Sequence, residues 1–298
     1  MTGLRATPAN AENVPAAPAR GRGQRKVLGD LLSWVALSLL GILWLVPFLW
    51  MVSSSLKSLG EIYAFPPTFF PEQIRWWNYT DAWNAVPFGR FFLNSLIVAV
   101  GTTSSVLLTS SMAGYSFARL RYPGRDKIFV AYLATMMVPF PVLIIPLFIL
   151  MGRIGLVDSL IGLILPAAFT AWGTFLMRQF MLSIPRELEE AARVDGASYW
   201  RIFLQVVLPL CRPVLATLGI FTFLGSWNEF LWPLVMISSI QNKTLPLGLT
   251  MFQAQAAIKT PWHLVMAAAT FSVIPVLLLF VLGQRYYVRG IATTGVKG

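Results

Sequence analysis

Six apolar runs dominate the chain, near 29–52, 91–118, 128–150, 160–181, 207–236 and 262–283, and shorter polar or charged stretches separate them. Each is long enough to cross a hydrocarbon core about 30 Å thick. Backbone groups in lipid have no water to bond, so only helices or closed barrels satisfy them. A barrel would need strands of about ten alternating residues, and the pattern has none. The expected fold class is therefore an all-α polytopic membrane protein with six transmembrane helices.

Composition agrees: 56% of the 298 residues are hydrophobic, 12% are charged and the mean hydropathy is +0.68. The net charge of +11 suggests nucleic acid until its distribution is read. Of the 23 Lys and Arg, 17 fall in the termini and in the loops around 119–127 and 178–212, against 6 in the alternate loops. Positive charge marks the cytoplasmic side of a membrane protein, so both termini and the 184–209 loop are expected there. Residues 1–28 are rich in Ala, Pro, Gly and Arg and read as a disordered basic tail. Arg22, Arg25 and Lys26 imitate the start of a signal peptide, but the apolar stretch that follows is too long for one and should remain as the first span. The expected organisation is a tail over 1–28, a six-helix domain over 29–283 and a cytoplasmic tail over 284–298.

The 184–209 loop holds the most informative pattern. Pro185, Arg186 and Glu187 suit a helix start, and Gly196 a stop. The spacing predicts about three turns, roughly 16 Å, with small Ala191 and Ala192 where another surface can approach closely. Ser198 can cap a second short helix, Tyr199 to Val206, before Leu208-Pro209 re-enters the membrane.

Glu190-Ala191-Ala192, then Gly196 after three residues, then Val206-x-Leu208-Pro209 resembles the EAA coupling-helix loop of ABC-importer permeases, with Val206 where Ile is usual. Along most of the chain the resemblance is to MalG-like permeases of carbohydrate importers. It implies an ABC importer permease fold, with Glu190, Ala191, Ala192, Asp195, Gly196, Leu208 and Pro209 coupling to an ATPase. It further implies a subunit of an ATP-driven, binding-protein-dependent sugar importer in the bacterial inner membrane. The partners it implies are an ABC ATPase homodimer, a second MalF-like permease and an extracytoplasmic sugar-binding protein. ATP and Mg would be bound by the partner ATPase, with no cofactor in this chain. Glycerol phosphate or another small polar solute stays open as cargo.

Other features bear on a solute path. Pro139, Pro141 and Pro146 should distort the third span, either as a packing kink or as a wall of the path. In the second span, small residues from Gly101 to Gly114 favour close helix packing over pore lining. Trp227-Asn228-Glu229-Phe230, near the outer end of the fifth span, also looks like the sugar-permease subgroup. Glu229 there is either a functional acid or an interfacial one held by Asn228 or a neighbouring helix. The path candidates are thus Trp227, Asn228, Glu229, Pro139 and Pro141.

The aromatic, proline-rich stretch 53–90 and the acid-free loop 237–261 are expected outside. In MalG-like permeases the loop corresponding to the latter approaches the binding protein; interfacial anchoring with a flexible loop is the alternative. Cys211 reads as a buried inert thiol and His263 as a satisfied interfacial histidine.

No catalytic or metal residue is assigned. The stretch from Gly290 to Gly298 mimics a phosphate-binding loop but has one residue too many and lacks the final Ser or Thr; the closing Gly295-Val296-Lys297-Gly298 instead resembles the MalG-like tail. Zinc-helix and serine-elbow motifs are absent from the sequence. An ion-driven secondary transporter, the competing class, should show paired intramembrane charges and repeated halves. Neither is visible in the sequence.

Overall fold

A computed structural model describes residues 22–254 and 259–294, with side chains over 29–254 and 259–284. Helices are the only regular elements among these residues. The tail expected over residues 1–21 and the closing Gly295–Gly298 lie outside the described residues. Within them, the first helix already begins at Arg22 and the last runs on to Thr294. Segments expected as tail, 22–28 and 284–294, are thus helical; residues such as Arg, Gln, Lys, Leu and Ala in them extend a neighbouring helix readily.

The chain divides into two units, Met1–Trp50 and Met51–Gly298. The described part of the first is the helix Arg22–Ser55 up to Trp50, and the stretch Gly29–Ser55 of that helix is long and apolar enough to cross a membrane.

The second unit is organised on the helix Phe88–Arg119, which packs against Ala171–Leu182 and Arg212–Trp227. Small residues make the approach possible. Gly114 is the tightest point on the long helix: a Cβ there would sit 2.7 Å from Met177 Cβ and 3.1 Å from the Arg178 nitrogen. Buried Ser110 and Ser111 precede it, and Thr109 Oγ1 donates to the Ala168 carbonyl at 2.7 Å. The small-residue stretch is therefore largely a packing face.

Three apolar cores follow from this arrangement. One gathers Tyr115, Met177, Met181, Ile202, Val207 and Leu218. A second gathers Phe88, Phe91, Trp227, Leu245 and Phe252. The third holds Ile144, Met151, Leu163, Trp232 and Met236.

Among the described residues, only three helices, Gly29–Ser55, Phe88–Arg119 and Trp262–Gln284, meet the length and hydropathy of a span by themselves. The other three expected spans are broken pairs. Arg125–Met137 meets Phe140–Arg153 at 100°, Leu160–Ala167 meets Ala171–Leu182 at 46°, and Tyr199–Leu210 meets Arg212–Trp227 at 77°. Proline explains the first: Pro139 and Pro141 flank the start of the new helix, where a missing N–H costs nothing, but neither can continue the old one.

The expected fifth span, 207–236, needs the largest correction. Its helix ends at Trp227, and Leu231–Met236 is a separate short helix beyond Asn228–Phe230. At its other end, Leu208-Pro209 lies in the bend rather than in a straight entry. A π-helical turn, Phe203–Val207, precedes the bend, so the predicted short helix Tyr199–Val206 is α-helical only over Tyr199–Ile202. Pro209 and Pro213 bracket Cys211, the residue at the break, and each lacks a helical donor. Cys211 is fully buried and free.

Candidate functional site

The loop helix spans Glu187–Val194, eight residues or about 12 Å, shorter than the three turns expected. Pro185 stands before the helix instead of opening it, and the Arg186 carbonyl accepts from Glu189 and Glu190 N–H, both at 3.0 Å. Glu187, Glu189 and Glu190 in the first turn and Arg193 in the last complement the helix dipole. Gly196 ends it with φ +80°, a left-handed conformation that other residues adopt only with strain. Gly196 N–H donates to Arg193 O and Ala197 N–H to Ala192 O, both at 2.9 Å, which closes the helix as a Schellman motif. Ser198 then caps the next helix through Arg201 N–H at 3.3 Å.

The helix is amphipathic in use as well as in pattern. Glu190, Ala191, Asp195 and Gly196 are exposed, Ala192 is half-buried, and Val194 is 89% exposed. Leu208 and Pro209 are half-buried beneath, in the bend. On the inner face, Glu189 is buried and its Oε1 lies 2.9 Å from Arg119 Nε. That nitrogen and oxygen are off the line of a directed hydrogen bond, so their contact is an ion pair. The guanidinium also donates to the carbonyls of Met181 and Ile184, at the end of Ala171–Leu182 and just past it. Arg119 therefore ties three things together: the terminus of the helix Phe88–Arg119, the carbonyl end of its neighbour and the loop helix.

Sequence reasoning missed both members of this pair. Glu189 sits next to Glu190 in the motif, and Arg119 was counted only for orientation. Helical phase carried the missing signal, since adjacent glutamates face about 100° apart and only one can point inward.

A second site is a cavity of about 410 Å³, within the size range of small-molecule pockets. Its walls come from Phe88–Arg119, Leu160–Ala167, Arg212–Trp227 and the segments that break the spans. Phe140, Phe169, Trp172, Phe221 and Trp232 give it an aromatic lining, and Glu229 is the one ionisable residue in it. Glu229 Oε1 accepts from Leu231 N–H at 3.0 Å and Trp232 N–H at 3.2 Å, so the carboxylate caps the short helix that follows the break. These donors, rather than Asn228 or a neighbouring helix, hold it.

The remaining path candidates lie elsewhere. Asn228 is exposed and bonds back to Leu224 O at 2.8 Å, as a helix terminus invites. Trp227 is buried, stacked on Phe223 at 5.8 Å, with Nε1 on Ser272 O at 3.1 Å. Pro139 and Pro141 do not line the cavity, whereas Phe140 between them does, because the new helix turns that side chain inward. His263 is a correction too: its Nδ1 is buried without a hydrogen-bond partner among the described residues.

The segment after the short helix is clamped. Asp158 Oδ1 accepts from Ser238 N–H, Ser239 N–H and Ser239 Oγ at 2.9–3.2 Å, and Asn242 Nδ2 donates to the Asp158 carbonyl at 2.6 Å. Burial alone would raise the Asp158 pKa, but the bonds from Ser239, Ser238 and Asn242 outweigh it and hold the carboxyl below its usual range. Asn94 Nδ2 bonds the carbonyls of Gln241 and Lys243 at 2.8 and 2.9 Å. The flexible part expected of the 237–261 loop therefore does not include residues 237–245.

Comparison with known proteins bears on both sites. Residues 106–293 match the family described as binding-protein-dependent transport system inner membrane component. The chain is 38% identical over 237 residues to the sn-glycerol-3-phosphate transport system permease protein UgpE of Pectobacterium atrosepticum, covering 78% of this chain and 84% of that one. It is also 38% identical over 256 residues to the diacetylchitobiose uptake system permease protein NgcG of Streptomyces coelicolor, covering 85% and 84%. In fold it resembles a chain of a bacterial ABC transporter that imports the acidic polysaccharide alginate, with a TM-score of 0.77 at 24% identity, over 92% of this chain and all of that one.

Proposed function

The chain belongs to the binding-protein-dependent transport system inner membrane components, and we propose that it forms one half of the translocation path of an ATP-driven sugar importer. It is a multi-pass inner-membrane transport subunit. In the proposed assembly it pairs with a second, MalF-like permease on two copies of an ATPase subunit, with an external sugar-binding protein above. ATP and Mg belong to the ATPase. Both termini and the 184–209 loop face the cytoplasm, as the distribution of Lys and Arg supports.

The observation that carries this reading is the loop helix Glu187–Val194, exposed on its Glu190–Ala191 side and fixed on its Glu189 side to Arg119. An exposed short helix with small residues fits a cleft on a partner. A buried ion pair makes its movement and that of the long helix a single event. ATP-dependent closure of the ATPase pair would thus reach the helix that walls the cavity, since Val98, Thr102 and Val106 of Phe88–Arg119 line it. Sugar as cargo is supported by the aromatic lining, which suits the apolar faces of pyranose rings, and by relatives such as NgcG. UgpE keeps glycerol phosphate as the second reading.

Affinity capture of the solubilised chain from its native membrane, with mass spectrometry of bound proteins, tests the assembly. Recovery of an ABC ATPase, a second permease and a binding protein is expected, with the ATPase lost from Gly196→Trp. Capture of the chain alone, identical in the variant, would defeat the proposal.

A further inference from the structure

The cavity around Glu229 carries a chemical preference that neither the family nor its relatives fix. Two hydroxyls on its wall, Thr102 Oγ1 and Thr244 Oγ1, are buried without a hydrogen-bond partner among the described residues, and their side chains belong to residues 4% and 3% exposed. Buried polar atoms left unsatisfied are costly, so an unpaired pair on one cavity wall points to a ligand that completes them. Thr170, Thr222 and Ser226 add further hydroxyls. Glu229 bonds backbone N–H only through Oε1, and Oε2 has no partner among the described residues.

The complementary observation concerns sign. The lining includes no Lys, Arg or His. A phosphate or carboxylate needs donors such as a guanidinium fork, an ammonium or a helix N-terminus. Of the helix N-termini at the cavity, that of Leu231–Met236 has its first N–H groups taken by Glu229, that of Leu245–Leu249 has Leu245 N–H taken by Ser95 Oγ, and that of Ala171–Leu182, behind Thr170, offers only the partial positive charge of a helix dipole. An anionic solute would meet a fixed carboxylate and find no cation on this wall.

We infer that this wall selects an uncharged polyhydroxylated solute, a neutral glycosyl unit stacked on the aromatic lining, with its hydroxyls donating to Glu229 and pairing with Thr102 and Thr244. The inference rests on the proposed importer function and narrows its cargo, setting the chain apart from permeases that carry a phosphate ester. Glu229 is then a specificity-determining residue that rejects anions. Like charges about 8 Å apart in a partly buried site disfavour binding by roughly 30-fold before screening, so discrimination of at least about tenfold is expected.

The test uses the complete importer in nanodiscs, ATP-free and without its binding protein, so that selectivity of the path alone is read. Quenching of tryptophan fluorescence, to which Trp172 and Trp232 on the cavity wall contribute, is titrated with neutral glucose, N-acetylglucosamine and arabinose oligosaccharides, with trigalacturonate and with glycerol 3-phosphate. At least one neutral sugar should bind about tenfold or more tightly than either anion. Glu229→Gln should shrink that margin to about threefold or less, and Glu229→Lys should reverse it. An anion that binds as well as the best neutral sugar, a margin untouched in Glu229→Gln, or no quenching by any neutral sugar would each overturn the inference. Recovery of the ATPase with the purified complex reads the underlying function separately: if it is retained while the neutral preference fails, only the inference about charge falls.

Discussion

Replacing Glu189 by Ala is the sharpest probe of how the loop helix is held. The change removes a carboxylate 2.9 Å from Arg119 Nε and leaves a guanidinium in a residue only 8% exposed. Breaking a buried pair by removing one member costs about 3–5 kcal/mol, mostly the penalty on the charge left behind. Arg119 keeps its bonds to the Met181 and Ile184 carbonyls, so the lower end of that range applies. About 3 kcal/mol corresponds to about a hundredfold change in a local opening equilibrium. Hydrogen exchange of the backbone amides in Glu187–Val194, measured in nanodiscs, should accelerate by that factor, while amides in the middle of Phe88–Arg119 stay protected. Binding-protein-stimulated ATPase activity of the assembled importer should lose its coupling to uptake in the same variant. Glu189→Gln, which keeps the shape and an acceptor, should fall between wild type and Ala. Acceleration of less than about threefold in Glu189→Ala, with coupling intact, would refute the view that this pair fastens the helix.

Other expectations follow from the same structure. Gly114→Ala places a Cβ 2.7 Å from Met177 Cβ and against the neighbouring backbone; overpacking of this kind costs about 1–3 kcal/mol, seen as a lower thermal midpoint in detergent. Gly196→Ala has open space around it but a φ of +80°, so it should loosen the end of the loop helix by about 1 kcal/mol through strain alone, read by amide exchange at Ala197. The Asp158 clamp should depend on pH. Its carboxyl is depressed in the folded state, so the stabilisation is fully present above the unfolded value of about 4 and is lost as pH falls through the lower folded value. Amides of 237–244 should therefore keep their protection factors from neutral pH to about pH 4 and lose them below, and Asp158→Asn should flatten that dependence.

The six apolar runs were legible because burial in lipid imposes a length and a hydropathy that no other solvent demands. The helix stop at Gly196 and the cap at Ser198 were legible because each rests on one residue's own conformational preference. The breaks in the spans were partly legible: Pro139 and Pro141 announced one, whereas the end of the fifth span at Trp227 was hidden inside an apolar run that composition cannot divide.

What sequence alone determined, then, was everything set by a local or solvent-wide constraint: an all-helical membrane chain, its polar punctuation and the Glu190–Ala192 motif in its loop. Tertiary structure decided which groups meet. It turned Glu189 inward to Arg119 across 70 residues of chain, placed Phe140 rather than its flanking prolines on the cavity wall, and left Thr102 and Thr244 unpaired beside Glu229. Those outcomes depend on helical phase and on the angles between broken helices. Both are fixed by packing, such as the close contact at Gly114, and a one-dimensional pattern does not record them.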